Sequence, residues 1–355
     1  MEGGDDNSIS TGVLESAFFI YQNANDVTIS EAACKSAAEN VYRAMQEKSY
    51  STETWSSNLL NPQTKDASTV DWIFLVDLLN FSFWSEVDTA DTGKTESNRF
   101  TVSWEGKSWT GYWSLCALVN RALAEGIPIT TATFWNNTEN CSDELLEYVF
   151  RSETSEQVPL LSERIACLRE AGRVLTEKFD GSFISCIERA GGSAVALVTL
   201  IVENFPCFRD EARYKGRTVK IYKRAQILVA DIWACFNQQS YGYFRDIDQI
   251  SMFADYRVPQ ILHNLGCLQY CDALTSHIRN LHIIPNGDPR EVELRGCSIW
   301  SVEMIKSEIL KAHPDAKINS ILLDFYLWDT AKEIQQRAAA AMDSIPCHRT
   351  RSIFY

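Results

Sequence analysis

Apolar residues recur three and four positions apart over 13–21 and again over 30–45, which predicts two helices, the second started by Ser30 with Glu31 behind it. The run VDWIFLVDLLNFSFW, residues 70–84, is too long and too apolar for an exposed strand. It predicts a buried helix that ends near Asn80. Over 100–113, FTVSWEGKSWTGYW alternates aromatic or β-branched with polar residues around Glu105-Gly106, the pattern of a β-hairpin. Helical spacing returns over 114–124, and Gly126 with Pro128 closes that helix before a further extended piece, ITTATFW.

Residues 144–150, 160–177 and 183–202 carry helical spacing, the last interrupted by Gly191-Gly192. The polar stretch 153–159, which includes Pro159, is the boundary between a mixed half and a helical half. The expected fold is α+β and predominantly α-helical, with a small antiparallel sheet in the N-terminal half. The expected division is a flexible leader over 1–12, a mixed part over 13–155, a helical part over 156–345 and a tail over 346–355. The two main parts are expected to form one compact unit.

Composition narrows the function. The 355 residues are 45% hydrophobic and include ten Trp, which fits a folded enzyme and argues against a largely disordered chain. The formal net charge of −14 presents an unfavourable average field to long RNA or duplex DNA. A small phosphorylated ligand, whose one phosphate needs few contacts, fits better than a polymer. Eleven Cys without a CxxC pair read as reduced thiols. His263, Cys267 and Cys271 lie close in sequence, yet a structural zinc site needs a second ligand pair, so neither metal nor another cofactor is expected. The start MEGGDDNSIS lacks the charged-then-apolar order of a secretion signal, and no apolar run approaches about twenty residues. A cytoplasmic monomer without membrane attachment is the expectation.

Four segments set charged or polar groups among apolar residues, where desolvation is costly unless the groups are paired or used. In IYKRAQILVADIW, a helix would place Lys223 and Asp231 two turns apart on one wall, a geometry that also fits a buried structural ion pair. In ISMFADYRVPQ, Pro259 disfavours helix at Val258, so Asp255 is expected on a turn between Phe253 and Tyr256, beside Arg257. There Asp255 could face a ribose with Phe253 stacked on a base, or cap the next helix. The following ILHNLGCLQY carries a Leu-Gly step similar to the helix-turn-helix of base-excision glycosylases. In ILLDFYLWD, Asp324 and Asp329 could accept from the amide and amine donors of a base while Phe325 supplies a ring face; helix capping is the competing explanation. Around Asn80, NFSFW alternates small polar groups with rings, either as a pocket wall or as plain packing with Asn80 capping a helix.

Taken in order, VDWIFLVDLLNFSFW, YKRAQILVADIW, MFADYRVPQ, RGCSIWSVEMI and LLDFYLWD resemble the queuosine salvage proteins, the queuosine 5′-phosphate N-glycosylases. The similarity runs from about residue 18 to 328. It implies a helical C-terminal half like that of DNA glycosylases and hydrolysis of queuosine 5′-phosphate to queuine and ribose 5-phosphate. It places an essential aspartate at Asp255 and the family lysine at Lys223, with Phe253, Asp324, Phe325 and Asp329 against the base. Phe325 stands where the family often has Tyr, and a histidine that some relatives carry has no counterpart around 33–36. Asp231 is expected to position Lys223, which either holds the 5′-phosphate or tunes Asp255, while Tyr256, Arg257 and Asn80 line the site. A 7-deazaguanine has no ring N7 to protonate, so catalysis must stabilise the cation-like ribose, the task assigned to the Asp255 carboxylate. The alternative from another class is a non-catalytic module that recognises queuosine within transfer RNA, against which the acidic charge counts. No stable nucleic acid complex is expected.

Overall fold

The computed structural model describes residues 10–86, 98–337 and 345–355. Residues 1–9 of the expected leader, and 338–344 of the expected helical part, lie outside the described residues. Within them are fifteen α-helices and three two-stranded antiparallel ladders, so the fold is α+β and predominantly helical.

The buried helix of the 70–84 run spans Ala67–Leu78, and every residue from Trp72 to Leu78 is buried. Asp66 accepts from the Ser68 and Thr69 amides and so starts it, satisfying two otherwise orphaned donors. On its buried face, Phe74 stacks on Phe183 with centroids 4.5 Å apart and meets Trp135, Phe205 and Phe208. The Lys223–Cys235 helix lies against it, and the Ala194–Asn204 helix supports that one from behind. A second group is centred on the long Pro289–Ala312 helix, which packs on Val13–Asn23, Glu31–Glu47, Arg257–Asn264 and Ser320–Arg337. Gly296 permits the closest of these contacts, because a Cβ there would lie 2.5 Å from Ile20 Cδ1.

The 100–113 hairpin forms as its alternation predicts: Thr101–Trp104 pairs with Lys107–Thr110, and both turn residues, Glu105 and Gly106, have positive φ. A second hairpin pairs Glu211–Tyr214 with Arg217–Lys220 and turns through Lys215-Gly216 with the same signs. The third ladder joins distant parts of the chain, Val27–Ile29 with Leu268–Tyr270.

The expected break at Gly191-Gly192 is present, between Ile184–Ala190 and Ala194–Asn204. The ITTATFW stretch is a correction: it turns at Pro128 and becomes the short helix Ala132–Asn136 rather than an extended piece. Docking overrides the β-branched composition there. The Trp135 indole donates to the Ile129 carbonyl at 2.6 Å, and the short helix packs on Leu161–Lys178 beside Gly172. Among the described residues no helix is long and apolar enough to cross a membrane.

Candidate active site

The site is built where the Ala67–Leu78 helix ends. The end of the helix carries the negative pole of its dipole, and buried cations collect on its last carbonyl and on the three that follow it. Arg224 donates to the Leu78 carbonyl, Arg164 to those of Leu79 and Phe81 at 2.6 Å each, and Lys223 to that of Asn80 at 3.0 Å. Both guanidinium groups also lie over the Phe81 ring. Four consecutive carbonyls are thereby fixed by three cations, and the NFSFW wall that follows inherits their placement.

Lys223 opens its helix because the Asp210 carboxylate takes the Lys223 amide at 3.1 Å, which turns the chain out of the preceding strand. Its ammonium also approaches Asn80 Oδ1 at 3.4 Å, while Asn80 Nδ2 donates to Asp77 Oδ1 at 3.1 Å. Asn80 therefore joins an ammonium to a carboxyl. Burial pulls the Lys223 ammonium down to about 8, against the attraction of Asp255. Burial pushes the Asp77 carboxyl up to about 7, and its Oδ2 has no hydrogen-bond partner among the described residues. Asp231 shares the wall with Lys223, as helical spacing predicts, but its strongest charged neighbour is Asp77. Burial and then Asp77 hold Asp231 well above the usual carboxylate range, and the Trp55 indole draws it down.

Asp255 lies on the irregular segment 251–256, all of it buried. Three anchors hold that segment. Gln226 Oε1 accepts from the Ser251 amide at 3.1 Å, Asp324 Oδ1 from the Phe253 amide at 3.0 Å, and the Arg295 guanidinium donates to the Ala254 carbonyl at 2.9 Å. Arg295 is itself clamped by Asp210 at 2.9 and 2.6 Å and by Glu291 at 3.3 Å. The next helix begins at Arg257 and includes Val258 and Pro259, so the sequence expectation that Pro259 keeps Val258 out of helix is corrected. Proline sits in the first turn, where its missing N–H costs nothing. Asp255 Oδ1 accepts the Arg257 and Val258 amides at 2.7 and 2.9 Å. It thus caps that helix, and among the described residues no protein group donates to Oδ2. Burial raises the Asp255 carboxyl, with Lys223 the largest influence pulling it back.

Ser320–Arg337 forms the facing wall. Phe325 and Phe253 meet with ring centroids 6.0 Å apart, and among the described residues nothing donates to the second oxygen of Asp324. Burial first and Asp255 second push Asp324 well above its usual range. Asp329 accepts from the Tyr50 hydroxyl at 2.5 Å, a partner that the sequence did not suggest. Tyr256 packs with Trp84 and Tyr355, and Arg257 lies over the Tyr256 ring.

The structure brings Lys223, Asp231, Asn80, Phe253, Asp255, Asp324 and Phe325 to one locality, with Tyr256, Arg257 and Asp329 around it. Asp77, Tyr50, Asp210 and Arg295 were missed by sequence reasoning. Asp77 had a signal, an acid inside the apolar 70–84 run; Arg295 and Asp210 are 85 positions apart and gave none. His263 stacks near Tyr270, Cys271 donates to Asp26 and Cys267 is buried elsewhere in the core. Among the described residues no group of three or more His, Cys, Asp or Glu side chains could hold a metal ion.

The family model for the queuosine salvage protein matches residues 60–355. A Schizosaccharomyces pombe protein named queuosine 5′-phosphate N-glycosylase/hydrolase is 47% identical over 348 residues, covering 97% of this chain and 99% of that one. Proteins of the same name from Mus musculus and Sphaerobacter thermophilus are 45% and 37% identical, with 96% and 97% of this chain and 98% of each relative covered.

Proposed function

The chain belongs to the queuosine salvage protein family, and from that membership and the buried Asp255 site we propose that it hydrolyses the N-glycosidic bond of queuosine 5′-phosphate, releasing queuine and ribose 5-phosphate. The observation that carries the mechanism is Asp255 itself: one oxygen is fixed by two helix amides, the other has no protein donor among the described residues, and Lys223 favours its charged form. A carboxylate held this way is preorganised to face positive charge on the ribose as the bond to the base breaks.

In the reaction the C1′–N bond breaks with its electron pair leaving on the base. Water adds its oxygen to C1′, and a proton reaches the base. Asp255 stabilises the sugar cation and orients the water. Phe253 and Phe325 offer ring surface to the base, and Asp324 and Asp329 accept from its amide and amine donors; such donors favour the ionised carboxylates that burial otherwise resists. Lys223 tunes Asp255, held in place by Asn80. Asp231 supports the Lys223 wall. The free thiols of all eleven Cys support action in a reducing compartment, the cytoplasm, and the net acidic charge supports a monomer that forms no stable complex with nucleic acid.

The test is incubation of pure protein with queuosine 5′-phosphate, with and without a chelator, followed by detection of free queuine. Release in both arms is expected. Absence of queuine would refute the hydrolase, and loss only with chelator would refute its independence from metal.

A further inference from the structure

We propose that Tyr355 is a positioning residue for the hydrolysis: with the 350–355 segment that carries it, it holds Asp255 and the Asn80–Lys223 wall in register across the site. The proposal rests on the reading that Asp255 faces the sugar. Two sets of contacts converge on that segment, and the first holds Asp255 from both sides in sequence. The Arg295 guanidinium makes five hydrogen bonds, as many as it has N–H groups. One goes to the Ala254 carbonyl, two go to Asp210, one to Glu291, and the fifth, at 3.3 Å, to the Phe354 carbonyl. The same guanidinium lies over the Tyr355 ring, 4.5 Å from its centroid, and the Tyr355 hydroxyl meets His348 Nε2 at 3.0 Å. Residues 354 and 355 thus engage both the edge and the face of the group that grips the carbonyl just before Asp255. Just after Asp255, Tyr256 packs in one small buried cluster with Tyr355 and Trp84.

The second set ties the segment to the opposite wall. The Tyr355 main-chain oxygen accepts from the Ser82 amide at 2.6 Å, Ser82 Oγ donates to the Ser352 carbonyl at 2.9 Å, and the Trp84 indole donates to the Thr350 carbonyl at 2.9 Å. Ser82 is buried with φ of 54°, the left-handed region that a residue with a Cβ adopts only where its surroundings hold it there. Those surroundings are the bonds from 352 and 355. Two residues before Ser82 stands Asn80, whose carbonyl takes the Lys223 ammonium. Through Ser82 the segment fixes the cation, and through Arg295 and Tyr256 it fixes the carboxylate. Loosening Tyr355 therefore loosens both halves of the Lys223–Asp255 pair without touching either.

The experiment compares the wild type, Tyr355→Leu and Tyr355→Phe on queuosine 5′-phosphate. Leucine offers the guanidinium no ring face, and a small displacement of Asp255 is felt in the transition state. In Tyr355→Leu, kcat should fall about ten- to a hundredfold while KM stays within about threefold. Phenylalanine keeps the ring and should recover most of the loss. Wild-type kcat in Tyr355→Leu, or a rise in KM alone, overturns the proposal. Amide hydrogen exchange of the wild type is the second measurement and needs no variant to fold. The amides of Ser352 and Phe354 should lose protection together with those of Phe253, Arg257 and Val258 as urea is raised. Exchange at 352 and 354 while 253, 257 and 258 stay protected also overturns it. If the wild type released no queuine, the hydrolase reading would fail, whereas the exchange pattern would still report on what the segment holds.

Discussion

The Lys223 ammonium donates to the Asn80 carbonyl at 3.0 Å, so the cation with the largest pull on the Asp255 carboxyl is tied to the end of a different helix. Its proton is held at about 8, facing Asp255 and Asp77 with Arg224 and Arg295 nearby. With queuosine 5′-phosphate as substrate, kcat/KM should fall about tenfold per pH unit above that value. Lys223→Met should lower activity and abolish this alkaline limb. The stability effect has the opposite direction: the unfolded lysine, near 10.5, binds more protons than the folded one, so its contribution rises from about pH 8 to 10.5. Denaturation midpoints of the two proteins across that window should diverge, and parallel curves would contradict the burial of this charge.

Asp255→Asn should fold and lose turnover by roughly two to four powers of ten, the scale of a major electrostatic or acid–base group. Asparagine keeps the oxygen that accepts from Arg257 and Val258, so the helix cap survives. Thermal unfolding should stay close to that of the wild type, while single-turnover release of queuine measures the loss. Near-normal turnover would remove Asp255 from the chemistry.

Asp77 should make stability depend on pH. Its folded value of about 7 lies above the ordinary 3.8, so its contribution is complete below about pH 4 and is lost as the pH rises through 7. Asp77→Asn should flatten that slope and gain about 1–3 kcal/mol over the wild type at pH 8, by removing a buried charge. Urea midpoints at pH 5 and pH 8 decide the matter.

Gly296→Ala should cost about 1–3 kcal/mol through overpacking against Ile20. Ile20→Ala removes two of the three crowding atoms, so the double variant should be more stable than the sum of the single losses. Strict additivity in denaturant titrations would show that the helices part instead.

Local patterning made much of the helical framework legible. The hairpin at Glu105-Gly106 and the break at Gly191-Gly192 follow from residues adjacent in sequence. The ladder between Val27–Ile29 and Leu268–Tyr270 does not, because each strand is three residues long and its partner is far away. The helical turn of 132–136 escaped for the same reason, since Gly172 and the Trp135 indole act through tertiary contact. In the site, Asp255 was visible as an acid among rings, and the capping alternative is realised through one oxygen, which leaves the other for the role proposed above. The Asp210–Arg295 clamp had no local pattern to betray it, although it fixes the carbonyl just before Asp255.

Arg224, Arg164 and Lys223 grip main-chain oxygen at positions 78 to 81, and among the side chains there they touch those of Asn80 and Phe81. The main-chain half of that grip outlasts a change of side chain, so substitution at Asn80 or Phe81 would slacken the mooring without casting it off. The backbone frame beside Asp255 is thus moored twice over at those two positions.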